Sequence, residues 1–196
     1  MARPVLLGVC ALLIGILPAI AQEARWSDKP TGFASVPALG LEHGTTGGAG
    51  GETVIVDNQA DLERSIHDNT PRIVRVKGTI TLEPFGRKMN VGSNKTIIGI
   101  GADATIAQGG FRAINQSNII LRNLTIRDSY VEGDDAGKEN DFDGFQIDNS
   151  HHIWIDHCHF TRLGDGLIDS RKGTDYITIS WCILSNHNKT FGIGWT

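Results

Sequence analysis

Two stretches decide how this chain folds: Ile153-Trp154-Ile155-Asp156-His157-Cys158 and, 24 residues later, Ile177-Thr178-Ile179-Ser180-Trp181-Cys182. Each is a short apolar run of strand length, rich in β-branched residues, and the two align residue by residue. Working outward, Ile119-Ile120-Leu121-Arg122-Asn123-Leu124, Thr96-Ile97-Ile98-Gly99-Ile100 and Ile73-Val74-Arg75-Val76 share the pattern. Taking Val74, Ile98, Leu121, Ile155 and Ile179 as equivalent gives spacings of 24, 23, 34 and 24 residues. Short strands recurring at a near-constant period, with one long insertion, are the mark of a solenoid. Helical periodicity is missing within the repeat, which disfavours leucine-rich and ankyrin-type arrays. The fold expected is all-β, a right-handed parallel β-helix whose strands stack ~4.8 Å apart in successive coils. A β-sandwich also has many short strands, but it has no reason to keep distant strands in common register.

That register makes specific demands. Cys158 and Cys182 should sit one above the other as small buried side chains rather than as a required disulfide. Asn123, His157 and Trp181 should align one residue earlier. Upstream, the glycine-rich run 47–51 opens the domain, and Thr53-Val54-Ile55-Val56 reads as a strand. Asp57-Asn58 then caps a short helix over 59–67, with Ala60, Leu62 and Ile66 at helical spacing. This helix is expected to cover the N-terminal end of the solenoid, where strand edges and core would otherwise be open. Residues 22–45 show little periodicity and are expected to be a loosely packed lead-in to a domain spanning 46–196.

The first 21 residues have the form of a secretory signal peptide: Arg3, the apolar run Val5–Leu17, and the small-x-small Ala19-Ile20-Ala21. The apolar run is shorter than the ~20 residues a spanning helix needs. A secreted chain, free of the membrane after cleavage, is expected. The net charge of −4 and the absence of a Lys/Arg-rich run make nucleic acid and acidic membrane surfaces poor candidates as partners, and none is expected. A monomer is expected.

The residues that suggest chemistry lie between Asn140 and Gly173. Asp141-Phe142-Asp143-Gly144 is followed 22 residues after Asp143 by Asp165-Gly166-Leu167-Ile168-Asp169. Asp-Gly is a common turn pair, but two copies about one coil apart would gather several carboxylates. Such crowding is unfavourable unless a cation neutralises it. Hard oxygen ligands without Cys or His at zinc spacing point to Ca²⁺. Asp143 shares strand parity with Phe145 and Ile147, so a bend must intervene if the apolar pair points inward.

In combination, Asp141-x-Asp143, the Trp-Ile-Asp-His stretch, Asp165 to Asp169, and Ile-Ser-Trp-Cys followed by His187-Asn188-Lys189-Thr190 resemble a family 1 pectate lyase over roughly Thr45 to Thr196. The resemblance implies calcium held by Asp141, Asp143, Asp165 and Asp169 in a groove on the side of the β-helix. It implies Lys189 and Arg171 as binders of polygalacturonate. It also implies Ca²⁺-assisted β-elimination to 4,5-unsaturated oligogalacturonides, in pectin catabolism. In that family the proton-abstracting base is an arginine that would lie beyond Thr196, so the solenoid is expected to be incomplete at its C-terminal end and its activity alone doubtful. Asp156 and His157 are expected to be structural, far from the groove, on strand faces that point apart.

Three other functions compete. Pectin lyase lacks the calcium carboxylates, and polygalacturonase uses a close carboxylate set for hydrolysis. A non-catalytic carbohydrate-binding β-helix needs no base at all. Asn115, Asn123 and Asn188 head glycosylation sequons, and Asn123 is expected to face the interior.

Overall fold

The computed structural model describes residues 28–194. The expected signal peptide, residues 1–21, lies outside the described residues. The elements begin with β1 (Glu52–Val56), α1 (Gln59–Ile66), β2 (Arg72–Thr81), β3 (Arg87–Asn90), β4 (Lys95–Ala107), β5 (Gly109–Ile114), β6 (Ser117–Arg122) and β7 (Thr125–Arg127). They continue with β8 (Phe145–Asp148), β9 (His151–Asp156), β10 (His159–Thr161), β11 (Ile168–Arg171), β12 (Asp175–Ser180), β13 (Ile183–Ser185) and β14 (Phe191–Ile193). All pairings between these strands are parallel, and they form a three-faced β-solenoid.

Each face contributes at least one column of side chains to the core. On the first, Val74, Ile97, Leu121, Ile155 and Ile179 are register partners through β2, β4, β6, β9 and β12. The column thus runs through Ile97, not Ile98. Ile98 pairs with Arg75 and Arg122 on the outward-facing row, and the true spacings are 23, 24, 34 and 24. On the second face Ile80, Ile106, Ile126, Phe160 and Leu184 stack through β2, β4, β7, β10 and β13. On the third, Met89, Phe111, Phe145 and Ile168 stack through β3, β5, β8 and β11, with the Phe111 and Phe145 rings edge-on at 6.1 Å. The three columns meet in one continuous apolar core.

The expected stacks also form. Cys158 is buried beneath half-buried Cys182, and both are free thiols. Asn123, His157 and Trp181 share one corner, each with φ +52. The left-handed conformation turns the chain there. Asn123 is exposed, contrary to expectation, because this corner points its side chain outward, where it donates to the carbonyls of Gly99 and Gly101 at 3.0 and 2.9 Å.

Helix α1 closes the N-terminal end. Leu62 and Ile66 enter the core, while Ala60 stays exposed. Its N-cap is Asn58, whose side chain accepts from the Asp61 backbone N–H at 3.0 Å. Asn58→Ala should therefore cost about 1 kcal/mol, seen as a lower urea midpoint at unchanged m-value.

Most of the segment before β1 is exposed, but it is pinned where Ala34, Gly44, Thr45, Gly47 and Gly48 are buried. A 3-10 turn at Gly32–Ser35 buries Ala34 against Ile120 and Trp154. The Ala34 N–H donates to Thr178 Oγ1 at 2.9 Å, and Asn118 Oδ1 accepts from the Thr46 and Gly47 N–H groups. The physical reason is on the solenoid's outer surface. Ile120 and Trp154 alternate with the core column and would face water without this strap.

Candidate metal and uronate groove

The groove runs along the third face. The long repeat, between Leu121 and Ile155, arises from an insertion over 128–144 that leaves the solenoid and returns just before β8. Asp134 holds the insertion's shape: its carboxylate accepts from the backbone N–H groups of Lys138 and Asn140 at 2.9 and 3.0 Å and from the Asn140 side chain at 3.0 Å. Burial alone would raise the Asp134 pKa, but these bonds hold it below the ordinary carboxylate value. Asp141 has φ +23, and Asp143 falls outside β8, two residues before Phe145. That is the bend the strand parity required.

The insertion thereby delivers Asp141 and Asp143 to the next coil's Asp165, and one carboxylate oxygen from each of the three lies within 4.8 Å of the others. Asp169 sits beside Asp165 in the wall of a cavity of about 480 Å³ that also includes Lys138, Arg171, Lys189 and Phe191. Asp143 is fully buried, and its Oδ1 has no hydrogen-bond partner. Burial pushes the Asp143 pKa up to about 7; Lys88 opposes the rise, while Asp169 and Asp141 add to it. Asp169 is likewise raised, by burial first and by Asp165 and Asp141, against Arg171 and Lys189. An orphaned buried carboxylate oxygen next to two further carboxylates is the donor set a hard cation satisfies. The residues present fit Ca²⁺.

Lys189 is aimed into this groove. Its ammonium contacts Asp165 Oδ1 and the Ala136 carbonyl. Its backbone N–H donates to His187 Nδ1 at 2.8 Å, and His187 Nε2 bonds the Leu163 carbonyl at 2.8 Å. Arg171 also lines the cavity but is tied down: Nε and a terminal nitrogen reach Asp148 at 2.7 and 3.1 Å, and Lys172 Nζ reaches the same carboxylate at 3.0 Å. Burial would raise the Asp148 pKa, yet hydrogen bonds from Arg171, Lys172 and Gln146 lower it to about 2. The ionised form is the one the fold favours. The stabilisation is therefore complete above the ordinary value of 3.8 and is lost as pH falls through about 2. The stability gap between wild type and Asp148→Asn should shrink by roughly 2 kcal/mol between pH 5 and pH 2, measured by urea unfolding at each pH.

Sequence reasoning missed three residues of this site: Lys88, Gln146 and Asp148. Lys88 Nζ donates to Asp141 Oδ2 at 2.8 Å, Asp143 Oδ2 at 3.0 Å and Gln146 Oε1 at 2.7 Å. It comes from β3, whose Lys88 pairs with Gly110 of β5.

Asp156 and His157 lie on the first face, away from the groove. Contrary to expectation they do touch, His157 Nδ1 standing 2.6 Å from Asp156 Oδ2. The left-handed φ at His157 cancels the strand alternation that would have separated them. Asp156 also accepts from Arg122 Nε at 2.8 Å and Ser180 Oγ at 2.6 Å, and Ser180 Oγ in turn accepts from Trp154 Nε1 at 3.0 Å. The network ties β6, β9 and β12 together.

Fold and groove together define a parallel β-helix protein with an acidic, cation-ready cleft on one flank. Residues 6–196 match the family model described as pectate lyase, and the chain belongs to the pectate lyase family. It is 45% identical over 174 residues to a pectate trisaccharide-lyase of Thermotoga maritima, covering 89% of this chain and 47% of that protein. A pectate lyase A of Emericella nidulans is 34% identical, covering 88% and 50%. Among solved structures, a pectate lyase from Bacillus sp. N165 in complex with trigalacturonate superposes with a TM-score of 0.67 at 29% identity, covering 86% of this chain and 56% of that one. The chain thus spans about half the length of the curated relatives it matches.

Proposed function

We propose that this chain contributes the calcium- and uronate-binding part of a groove that cleaves polygalacturonate by β-elimination, giving 4,5-unsaturated oligogalacturonides. One observation carries the reading. Buried Asp143 presents an unpartnered carboxylate oxygen beside Asp141 and Asp165, and Asp165 lines the same cleft as Lys189 and Arg171. Asp141, Asp143 and Asp165 would hold Ca²⁺, with Asp169 at its margin. Bound there, the ion would withdraw charge from a uronate carboxylate and make the C5 hydrogen more acidic.

The chain's own residues then bind and orient. The Lys189 ammonium, set by the His187 bond to its backbone, meets a substrate carboxylate as a point charge. Arg171 offers a planar donor edge whose orientation is fixed by Asp148. Both cations are engaged with carboxylates in the free protein, and their role is binding rather than proton abstraction. The trigalacturonate in the similar structure and the names of the relatives support a uronate polymer as substrate. Export is proposed on the leader's sequence alone.

The test is incubation with polygalacturonate in CaCl₂ or in chelator, following ultraviolet absorbance of unsaturated ends, beside a calorimetric calcium titration. Calcium-dependent product supports the lyase reading. Binding of calcium and trigalacturonate without product reassigns the chain to a non-catalytic carbohydrate-binding β-helix. Failure to bind either one overturns the proposal.

A further inference from the structure

The cation position in the groove is already contested by a side chain of the protein itself. Lys88 lies on β3, yet it makes its polar contacts with Asp141, Asp143 and Gln146, which belong to the coil of β8, with β5 in between. It can do so because its register partner on β5 is Gly110, one residue before the Phe111–Phe145 pair. A Cβ at Gly110 would come within 2.3 Å of the Gly144 carbonyl oxygen and 2.4 Å of the Asp143 carbonyl oxygen. The glycine keeps the surface open where a long side chain must cross two strand spacings, roughly 10 Å. At the far end the ammonium meets three oxygens, matching its three N–H donors. Its side chain is 12% exposed.

Two of those oxygens belong to carboxylates that would hold the metal. Calcium takes six to eight oxygen ligands, so a lysine consuming one oxygen each of Asp141 and Asp143 withholds ligands and adds a like charge at short range. Asp143 Oδ1 is left over, buried and unpaired, which is what a one-charge occupant of a two-charge site leaves behind.

Resting on the calcium reading above, we propose that Lys88 is an internal counter-ion that competes with calcium for Asp141 and Asp143. It holds the carboxylates together without metal and is displaced toward solvent when calcium binds. Lys88 thereby sets the calcium affinity of the groove, trading tight binding for a site that stays assembled in low calcium.

The test uses the full chain, CaCl₂ and two readouts other than turnover. Lys88→Met keeps length and removes charge. It should tighten calcium binding at least tenfold by calorimetry while lowering the melting temperature in chelator. In the wild type, reductive methylation followed by peptide mass spectrometry should show Lys88 labelled faster when calcium is added, since the displaced amine reaches solvent. This second measurement needs no variant, so it decides the matter even if Lys88→Met folds poorly. Wild-type calcium binding with unchanged or weaker affinity in Lys88→Met, or with Lys88 labelling unchanged or slowed by calcium, overturns the counter-ion and leaves the metal site standing. No calcium response in either protein overturns the metal site itself.

Discussion

Asp143→Ala is expected to lower calcium affinity by at least a hundredfold and to remove most of the stabilisation calcium gives the wild type. Asp143 is the one carboxylate of the cluster that is wholly buried, and its Oδ1 has nothing else to bind. Removing it deletes a ligand and leaves a cavity that a carboxylate of Asp141, mostly exposed, cannot fill. At a calcium concentration one hundred times the dissociation constant, a ligand that binds only the folded chain stabilises it by about 2.7 kcal/mol. The variant, with affinity at least a hundredfold weaker, should keep no more than about 0.4 kcal/mol of that. Thermal unfolding of both proteins in chelator and in calcium checks it: equal calcium shifts would show that the metal, if bound, is held elsewhere.

Gly110→Ala is expected to cost about 3 kcal/mol. The added Cβ would strike the carbonyl oxygens of Gly144 and Asp143, which are backbone atoms of the neighbouring coil and cannot rotate away. The coil of β5 would have to part from that of β8, exactly where the insertion rejoins the solenoid. The metal cluster should loosen along with the fold, so calcium affinity and chelator-state melting temperature should fall together. Gly40 is the matched control, since a Cβ there meets nothing within 4 Å, although its φ of +84 imposes a modest backbone strain of its own. A Gly110→Ala protein as stable as Gly40→Ala would refute the argument.

How far the sequence could be read depended on whether the signal was local or crossed coils. The columns were legible because a parallel solenoid repeats its inward positions at the coil period, and Val74, Leu121, Ile155 and Ile179 are all unambiguous. The one-residue slip at Ile98 arose where two β-branched residues stand side by side and either satisfies the pattern. The acids were legible as paired Asp-Gly sequences, and the bend that frees Asp143 from strand parity was anticipated as a need. Lys88 was not legible. It is 53 and 55 residues from its carboxylate partners, and nothing about a lysine in a strand announces a side chain that crosses a neighbouring coil. The Asp156–His157 contact was misjudged because strand alternation was assumed through a corner, where a left-handed residue resets it. The anchoring of Ala34 on Ile120 and Trp154 was not legible, because both partners lie inside continuous apolar runs that do not distinguish core from outer surface.

The insertion over 128–144 bears on the order in which the molecule assembles. In a solenoid each coil rests only on its neighbours, and its strands can form before anything outside them is settled. Two of the proposed metal ligands, however, arrive on the insertion and a third on the following coil. The ion can therefore be gripped only once both have docked. Its contribution belongs to the late side of the folding barrier, so calcium should slow unfolding while leaving the refolding rate nearly untouched. A chevron recorded with and without the ion would show one limb moving and the other still. Kept in calcium, the protein would owe its persistence to a slow exit from the native state rather than to a quick return.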